Sequence, residues 1–81
     1  MKNIINALTT YGFQKVAYNT YAKGIGSISA GALVTVEIAG AVAKVELQTY
    51  FCNGEVEEDT CQTWTCWLAD LWAYLPGWAF R

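Results

Sequence analysis

Residues 33–50 read LVTVEIAGAVAKVELQTY, and this stretch decides the fold because apolar and polar side chains alternate along both of its halves. Strict alternation over several residues is typical of a strand that buries one face. The apolar set is Val34, Val36, Ile38, Ala43, Val45 and Leu47, and the polar set is Thr35, Glu37, Lys44, Glu46 and Gln48. The stretch therefore predicts an antiparallel hairpin with one buried and one solvated face.

The turn of this hairpin is predicted at residues 39–40, which are Ala and Gly. A two-residue loop there pairs Val34 with Val45 and Val36 with Ala43, so both apolar sets fall on one face of the sheet. Alanine at the first turn position does not suit a type I′ turn. A four-residue loop with the same facing therefore stays open as an alternative.

Upstream of the hairpin, the chain predicts a short helix. Ile4, Ile5 and Leu8 fall on one side at helical spacing. Asn3 is the expected N-cap, and Gly12 is expected to end the helix. A helix of two or three turns is too short to be stable alone, so packing must hold it in place.

Between this helix and the hairpin, residues 14–22 are rich in Val, Tyr and Thr and predict a third strand. Residues 23–27 read KGIGS and predict a flexible connection. The same segment resembles half of a phosphate-binding loop, but the third glycine and the lysine of that motif are missing. A plain loop is the preferred interpretation.

Downstream of the hairpin, six apolar side chains repeat at the helical spacing i, i+3, i+4, i+7, i+8 and i+11. They are Trp64, Trp67, Leu68, Leu71, Trp72 and Leu75. This stripe predicts an amphipathic helix over about residues 60–75. Asn53-Gly54 is expected to end the preceding strand, and Pro76-Gly77 to stop the helix.

These elements predict an α+β fold in which residues 1–81 form a single domain. The expected architecture is a three-stranded antiparallel meander with a short N-terminal helix and an amphipathic C-terminal helix on one face, in the order α-β-β-β-α. A chain of 81 residues needs a rich core, and its 54% apolar content, with four Trp, five Tyr and three Phe, meets that need.

Composition argues against several functions. Histidine is absent, which removes Ser-His-Asp and Cys-His catalysis. The net charge is −2 and the five basic residues are scattered, which argues against binding to nucleic acids or anionic membranes. No apolar signal-peptide core and no run of about 20 apolar residues is visible. The sequence therefore predicts a non-enzymatic cytoplasmic protein that needs no cofactor.

The three cysteines are Cys52, Cys61 and Cys66. An odd number without a secretion signal favours reduced thiols, although a Cys52–Cys61 bridge stays open. Structural zinc needs four ligands, commonly in close pairs, and this spacing does not supply them. The acidic residues nearby disfavour a reactive Cys61 thiolate. No metal site is predicted.

Two segments are candidate contacts for a partner. The first is the acidic run Glu55, Glu57, Glu58 and Asp59, which suits a basic partner but is also typical of a solvated segment before a helix. The second is the tail that carries Trp78 and Phe80, which either folds back over the core or presents aromatic rings to another chain. A free strand edge is a third means of association.

The leading hypothesis is a small protein-binding module. Small acidic proteins without catalytic groups include many phage-encoded inhibitors of host defence proteins, so an inhibitor is one form that this function can take. The alternative is a self-assembling structural domain that buries its tail aromatics and sheet edge between copies. An enzyme that uses Cys61, or a small-ligand carrier, ranks third.

Overall fold

The computed structural model describes residues 2–26, 30–53 and 56–80, and of residues 2, 51–53 and 56–59 it describes the backbone. The elements are α1 (Lys2–Thr10), β1 (Gln14–Ala17), β2 (Thr20–Gly26), β3 (Ala30–Ala39), β4 (Val42–Asn53), β5 (Val56–Trp67) and α2 (Leu71–Tyr74). Short 3₁₀ turns at Leu68–Asp70 and Gly77–Phe80 flank α2.

In the described part of the chain, five strands form one antiparallel sheet in the order β1-β2-β3-β4-β5. The prediction of three strands is therefore wrong, while the α+β class is correct. The two additional strands come from different errors. The strand predicted over residues 14–22 is two strands, and the first half of the segment predicted as the C-terminal helix belongs to β5.

The first error arises at a turn that the sequence does not mark with glycine or proline. Tyr18 and Asn19 connect β1 to β2, and Asn19 takes a positive φ of 52°. Asparagine tolerates this left-handed conformation better than most residues. The predicted flexible connection is also wrong in part, because residues 23–26 belong to β2 and pair with β3. Ser27 lies outside the described residues.

The central hairpin is confirmed, but its register differs from the prediction by two residues. Val36 lies opposite Val45, and Ile38 lies opposite Ala43. The turn is Gly40-Ala41, with Gly40 at a positive φ of 62°. Type II′ turns prefer glycine at this first central position, so moving the turn by one residue avoids an unfavourable alanine. A shift of two residues leaves the facing of every side chain unchanged.

The second error concerns residues 60–67, which read TCQTWTCW. Their periodicity was compatible with a helix, but threonine and tryptophan favour strands. In the structure, Trp64 lies opposite Val45 and packs against the core, whereas Trp67 points to the other face and is 65% exposed. The predicted continuous tryptophan stripe is therefore wrong at Trp67.

After Trp67 the chain leaves the sheet, and for a short distance its conformation matches the predicted helical spacing. Leu68, Leu71 and Leu75 are buried, as the stripe predicted. Leu68 lies in a 3₁₀ turn, Leu71 lies in a single turn of helix and Leu75 directly follows that turn, so the three do not share a helix of four turns. The predicted stop is confirmed, because α2 ends at Tyr74 and Leu75, which precedes Pro76, is extended.

The core lies between the two helices and the face of the sheet that carries Val34, Val36 and Val45, here called the inner face. Its buried residues are Leu8, Phe13, Tyr21, Val34, Val36, Ile38, Ala43, Val45, Cys66, Leu68, Leu71, Leu75 and Ala79. The opposite, outer face carries the polar set of the hairpin, in which Glu37 and Lys44 are opposed and exposed. This division of the hairpin matches the prediction.

Helix α1 ends as predicted at Gly12, which has a φ of 92°. The Gly12 amide donates to the Thr9 carbonyl at 3.0 Å, and the Phe13 amide donates to the Leu8 carbonyl at 2.9 Å. This pair of bonds forms a Schellman motif, which satisfies carbonyls at the helix end. Asn3 is not the N-cap, because the helix already includes Lys2.

A candidate protein-binding edge

The two edges of the sheet are built differently. β1 has four residues, and its pairing with β2 is irregular between Lys15 and Ala17. Short length, irregular pairing and an edge lysine are devices that protect an edge from pairing with another chain. β5 has 12 residues in continuous register with β4, and within the described residues no strand pairs with its other side.

The direction of the backbone groups along β5 follows from its end. The Leu68 amide donates to the Ala41 carbonyl at 2.8 Å, so Leu68 directs its amide toward β4. Backbone groups in an antiparallel strand point to alternate sides at successive residues. Gln62 and Trp64 therefore bond to β4, whereas the odd-numbered residues of β5 direct both N–H and C=O away from the sheet. In the carboxyl-terminal part of β5 these are Cys61, Thr63, Thr65 and Trp67.

We call residues 60–67 of β5 the open edge. This segment contains no glycine, no proline and no charged residue. Its side chains on the outer face include the exposed Thr63, Thr65 and Trp67. A regular, uncharged edge strand is a template for an added strand.

The acidic candidates lie on the same strand but not in the predicted setting. Glu57, Glu58 and Asp59 belong to β5, where their backbones pair with Cys52, Phe51 and Tyr50. They do not precede a helix, so the helix-dipole interpretation is wrong. Glu55 and the side chains of the other three lie outside the described residues. The chain thus places an acidic segment immediately before the open edge.

The tail aromatics fold back over the core. Trp78 and Phe80 are half-buried and pack against the core cluster. The Phe80 ring lies 5.3 Å from the Tyr11 ring and 5.9 Å from the Trp72 ring, measured between centroids. Of the two interpretations of this tail, folding back is the one that the structure shows.

A lysine fastens this tail to the first helix. Lys23, on β2, directs its ammonium group to the carbonyl oxygens of Tyr11 and Ala79, the latter at 3.1 Å. Tyr11 follows α1 and Ala79 lies in the 3₁₀ turn Gly77–Phe80. The Lys23 side chain therefore connects the end of α1 to the tail. Charge-assisted bonds of this kind are stronger than neutral ones.

Two open pockets adjoin β5. One, of about 380 Å³, is lined by Leu33, Gln48, Thr49, Tyr50, Thr60 and Cys61. The other, of about 390 Å³, lies where β5 passes into α2 and is lined by Val42, Thr65, Cys66, Trp67, Asp70 and Tyr74. Trp67, Asp70 and Tyr74 are exposed and were not recognised as site residues from the sequence. The β-branched and aromatic content of residues 60–67 was the signal that could have found Trp67, by marking the segment as a strand.

The cysteines of β5 occupy opposite faces. Cys61 is exposed on the outer face and Cys66 is buried on the inner face, and both are free thiols. Cys61 lies opposite Gln48, four residues from Cys52. Four residues span about 13 Å in a strand, whereas the Cα atoms of a disulfide lie within about 7 Å. This register excludes the Cys52–Cys61 bridge that the sequence left open.

We expect the two thiols to react at very different rates. Burial, and to a smaller extent the negative charge of Asp70, raise the pKa of Cys66. The thiolate is the reactive form, so in a Cys52→Ala background iodoacetamide at pH 8 should modify Cys61 first and Cys66 only after unfolding. Mass spectrometry of timed digests measures both rates. Equal rates under native conditions would contradict the assigned faces of β5.

Comparisons with protein-family models, curated proteins and solved structures gave no match. None of the helices in the described part of the chain is long and apolar enough to cross a membrane. Among residues 3–26, 30–50 and 60–80, whose side chains the structure describes, no three Cys, Asp or Glu residues form a group that could hold a metal ion.

Proposed function

We propose that this protein is a non-enzymatic protein-binding module that binds its partner by adding one of the partner's strands to the open edge of β5. The contrast between the two edges of the sheet supports the proposal. β1 is short and irregular, whereas β5 offers a long register and an uncharged segment. Natural sheets usually protect edges of this kind, so an unprotected edge indicates a binding surface.

In this mode the backbone supplies the affinity. An added strand bonds to the outward N–H and C=O groups of Cys61, Thr63, Thr65 and Trp67, while its side chains contact the pockets beside β5. The acidic residues at the start of the strand favour a partner strand with basic residues at the facing end. The absence of histidine from the sequence supports the non-enzymatic part of the proposal.

A displayed library of random ten-residue peptides tests this function. Peptides selected on the immobilised protein should be rich in β-branched and aromatic residues. They should lose binding to Thr63→Pro, which removes one outward N–H and places a ring on the edge. Binding is measured by biolayer interferometry with synthetic copies of the selected peptides.

The matched control is Val16→Pro, at the irregular step of the opposite edge strand, where Val16 is exposed. Selected peptides should bind Val16→Pro as tightly as the unchanged protein. Peptides that bind Thr63→Pro and the unchanged protein equally well, or a library that yields no binders, would overturn the proposal.

Self-assembly is the second candidate, because the same open edge can accept a second copy. Antiparallel pairing of two β5 strands centred near Thr63 brings the uncharged segments together. It also places the two acidic runs about 30 Å apart, at about 3.4 Å per residue, which is several Debye lengths at physiological salt. Light scattering at micromolar concentration distinguishes the candidates, since a monomeric mass removes self-assembly and leaves partner binding in place.

One of the three arguments for an inhibitor of a host protein does not agree with the structure. The likeness to phage-encoded inhibitors rested on size, acidic charge and the order α-β-β-β-α, and the five-stranded order differs from it. Size and charge remain. Inhibition of a host protein is therefore proposed only as one use of an edge-binding module.

A further inference from the structure

We propose that the pocket lined by Trp67, Asp70 and Tyr74 binds a cationic side chain, the guanidinium of arginine in particular. We call it the cation pocket. The cation pocket would receive a basic side chain of the partner strand, and this part of the inference rests on the proposed function. The binding of a cation to the pocket itself can be measured without any partner.

The aromatic side chains of the cation pocket are not used by the core. Trp67 is 65% exposed and Tyr74 is 45% exposed. In the part of the chain that the structure describes, the ring contacts join Tyr11, Trp72 and Phe80 to one another and include neither Trp67 nor Tyr74. Two accessible rings in one pocket of about 390 Å³ suit a flat cation, because guanidinium stacks on aromatic faces.

The charge of the pocket has one sign. Asp70 is the charged residue of the lining, is exposed, and forms no ion pair with any described residue. Its negative charge also contributes, after burial, to raising the pKa of the neighbouring Cys66 thiol. Because Asp70 lines the pocket, its carboxylate favours a cation there and disfavours an anion.

The position of the pocket connects it to the open edge. Val42, Thr65 and Trp67 lie on the outer face, and Trp67 is the last residue of β5. A residue of an added antiparallel strand opposite Trp67 directs its side chain to the same outer face. A long basic side chain at that position reaches Asp70 and Tyr74 while the backbone remains paired with β5.

The test uses Nα-acetyl-arginine amide as the probe and Nα-acetyl-citrulline amide as its neutral isostere. Each is titrated into ¹⁵N-labelled protein, and the indole N–H resonance of Trp67 is followed, assigned with Trp67→Phe. The arginine probe should shift this resonance in a saturable way with a millimolar dissociation constant. Citrulline should bind at least about threefold more weakly, since one exposed charge pair corresponds to a factor of up to about five.

Two variants with the same change of charge complete the experiment. Asp70→Asn should weaken arginine binding about three- to fivefold, whereas Glu37→Gln, exposed on β3, should leave it unchanged. Equal binding of arginine and citrulline, or an unaffected Asp70→Asn variant, would overturn the cation pocket. A failure here together with successful selection of edge-binding peptides would overturn the pocket alone, and the reverse result would overturn the edge alone.

Discussion

Replacing Leu71 with alanine is expected to lower the free energy of unfolding by about 2–5 kcal/mol, as full truncation of a buried leucine does. Leu71 is 0% exposed and lies in the core cluster although it sits in a helix of a single turn. Such a helix has no stability of its own, so its position depends on this packing. A domain of this size is expected to have a total stability of about 4–12 kcal/mol.

Urea unfolding followed by far-UV circular dichroism measures the effect. The control is Leu33→Ala, which removes the same atoms as Leu71→Ala. Leu33 lies on the outer face and is 38% exposed, so its truncation leaves no buried cavity. We expect this control to cost less than about 1 kcal/mol. Similar losses for the two variants would mean that the C-terminal segment does not close the core.

The burial of Leu68, Leu71 and Leu75 was predictable because their spacing holds over one local turn. The secondary structure of residues 60–67 was not predictable, because Trp64 and Trp67 fit a helical stripe as well as a strand. What decides the outcome is non-local, because residues 56–67 pair with β4 along its whole length. Such pairing gives a hydrogen-bonded partner to every inward group of β5, and a pattern based on one helix does not include it.

In the hairpin, facing was predictable and register was not. A period of two fixes which side chains of β3 and β4 share a face, and a slip of two residues preserves that facing. Val34 opposite Val45 and Val36 opposite Val45 therefore satisfy the same hydrophobic pattern. The turn selects between them, because only the observed register places Gly40 at the first turn position.

The candidate site was predicted in its general nature and not in its residues. A strand edge was among the expected means of association, but β5 itself was assigned to a helix, so the open edge was missed. The tail that carries Trp78 and Phe80 is held over the core by the contact of Phe80 with Tyr11 and by the Lys23 bond to Ala79. Both contacts join distant parts of the chain. No local pattern in the sequence contains such contacts.

A pair of neighbouring proline substitutions tests the strand assignment and the direction of its backbone groups. Gln62 lies opposite Leu47 and directs its N–H toward β4, whereas the N–H of Thr63 points to the open edge. Gln62→Pro should therefore lose a ladder hydrogen bond and leave the Leu47 carbonyl without its partner. The expected loss is at least about 1–3 kcal/mol in the free energy of unfolding. Thr63→Pro should cost less than about 1 kcal/mol, because proline is tolerated on an edge strand where the N–H faces solvent.

The comparison is sharp because the two sites are adjacent and exposed and receive the same residue. Chemical denaturation of both variants gives the difference in stability, and amide hydrogen exchange shows whether β4 and β5 stay paired. If residues 60–67 instead began the helix predicted over residues 60–75, positions 62 and 63 would lie in its first turn, where the N–H groups have no partner within the helix. Proline would then be tolerated at both positions, and Gln62→Pro would lose no more stability than Thr63→Pro. If the backbone alternation were reversed, Thr63→Pro would be the unstable variant, and the groups available to an added strand would be those of Gln62, Trp64 and Cys66.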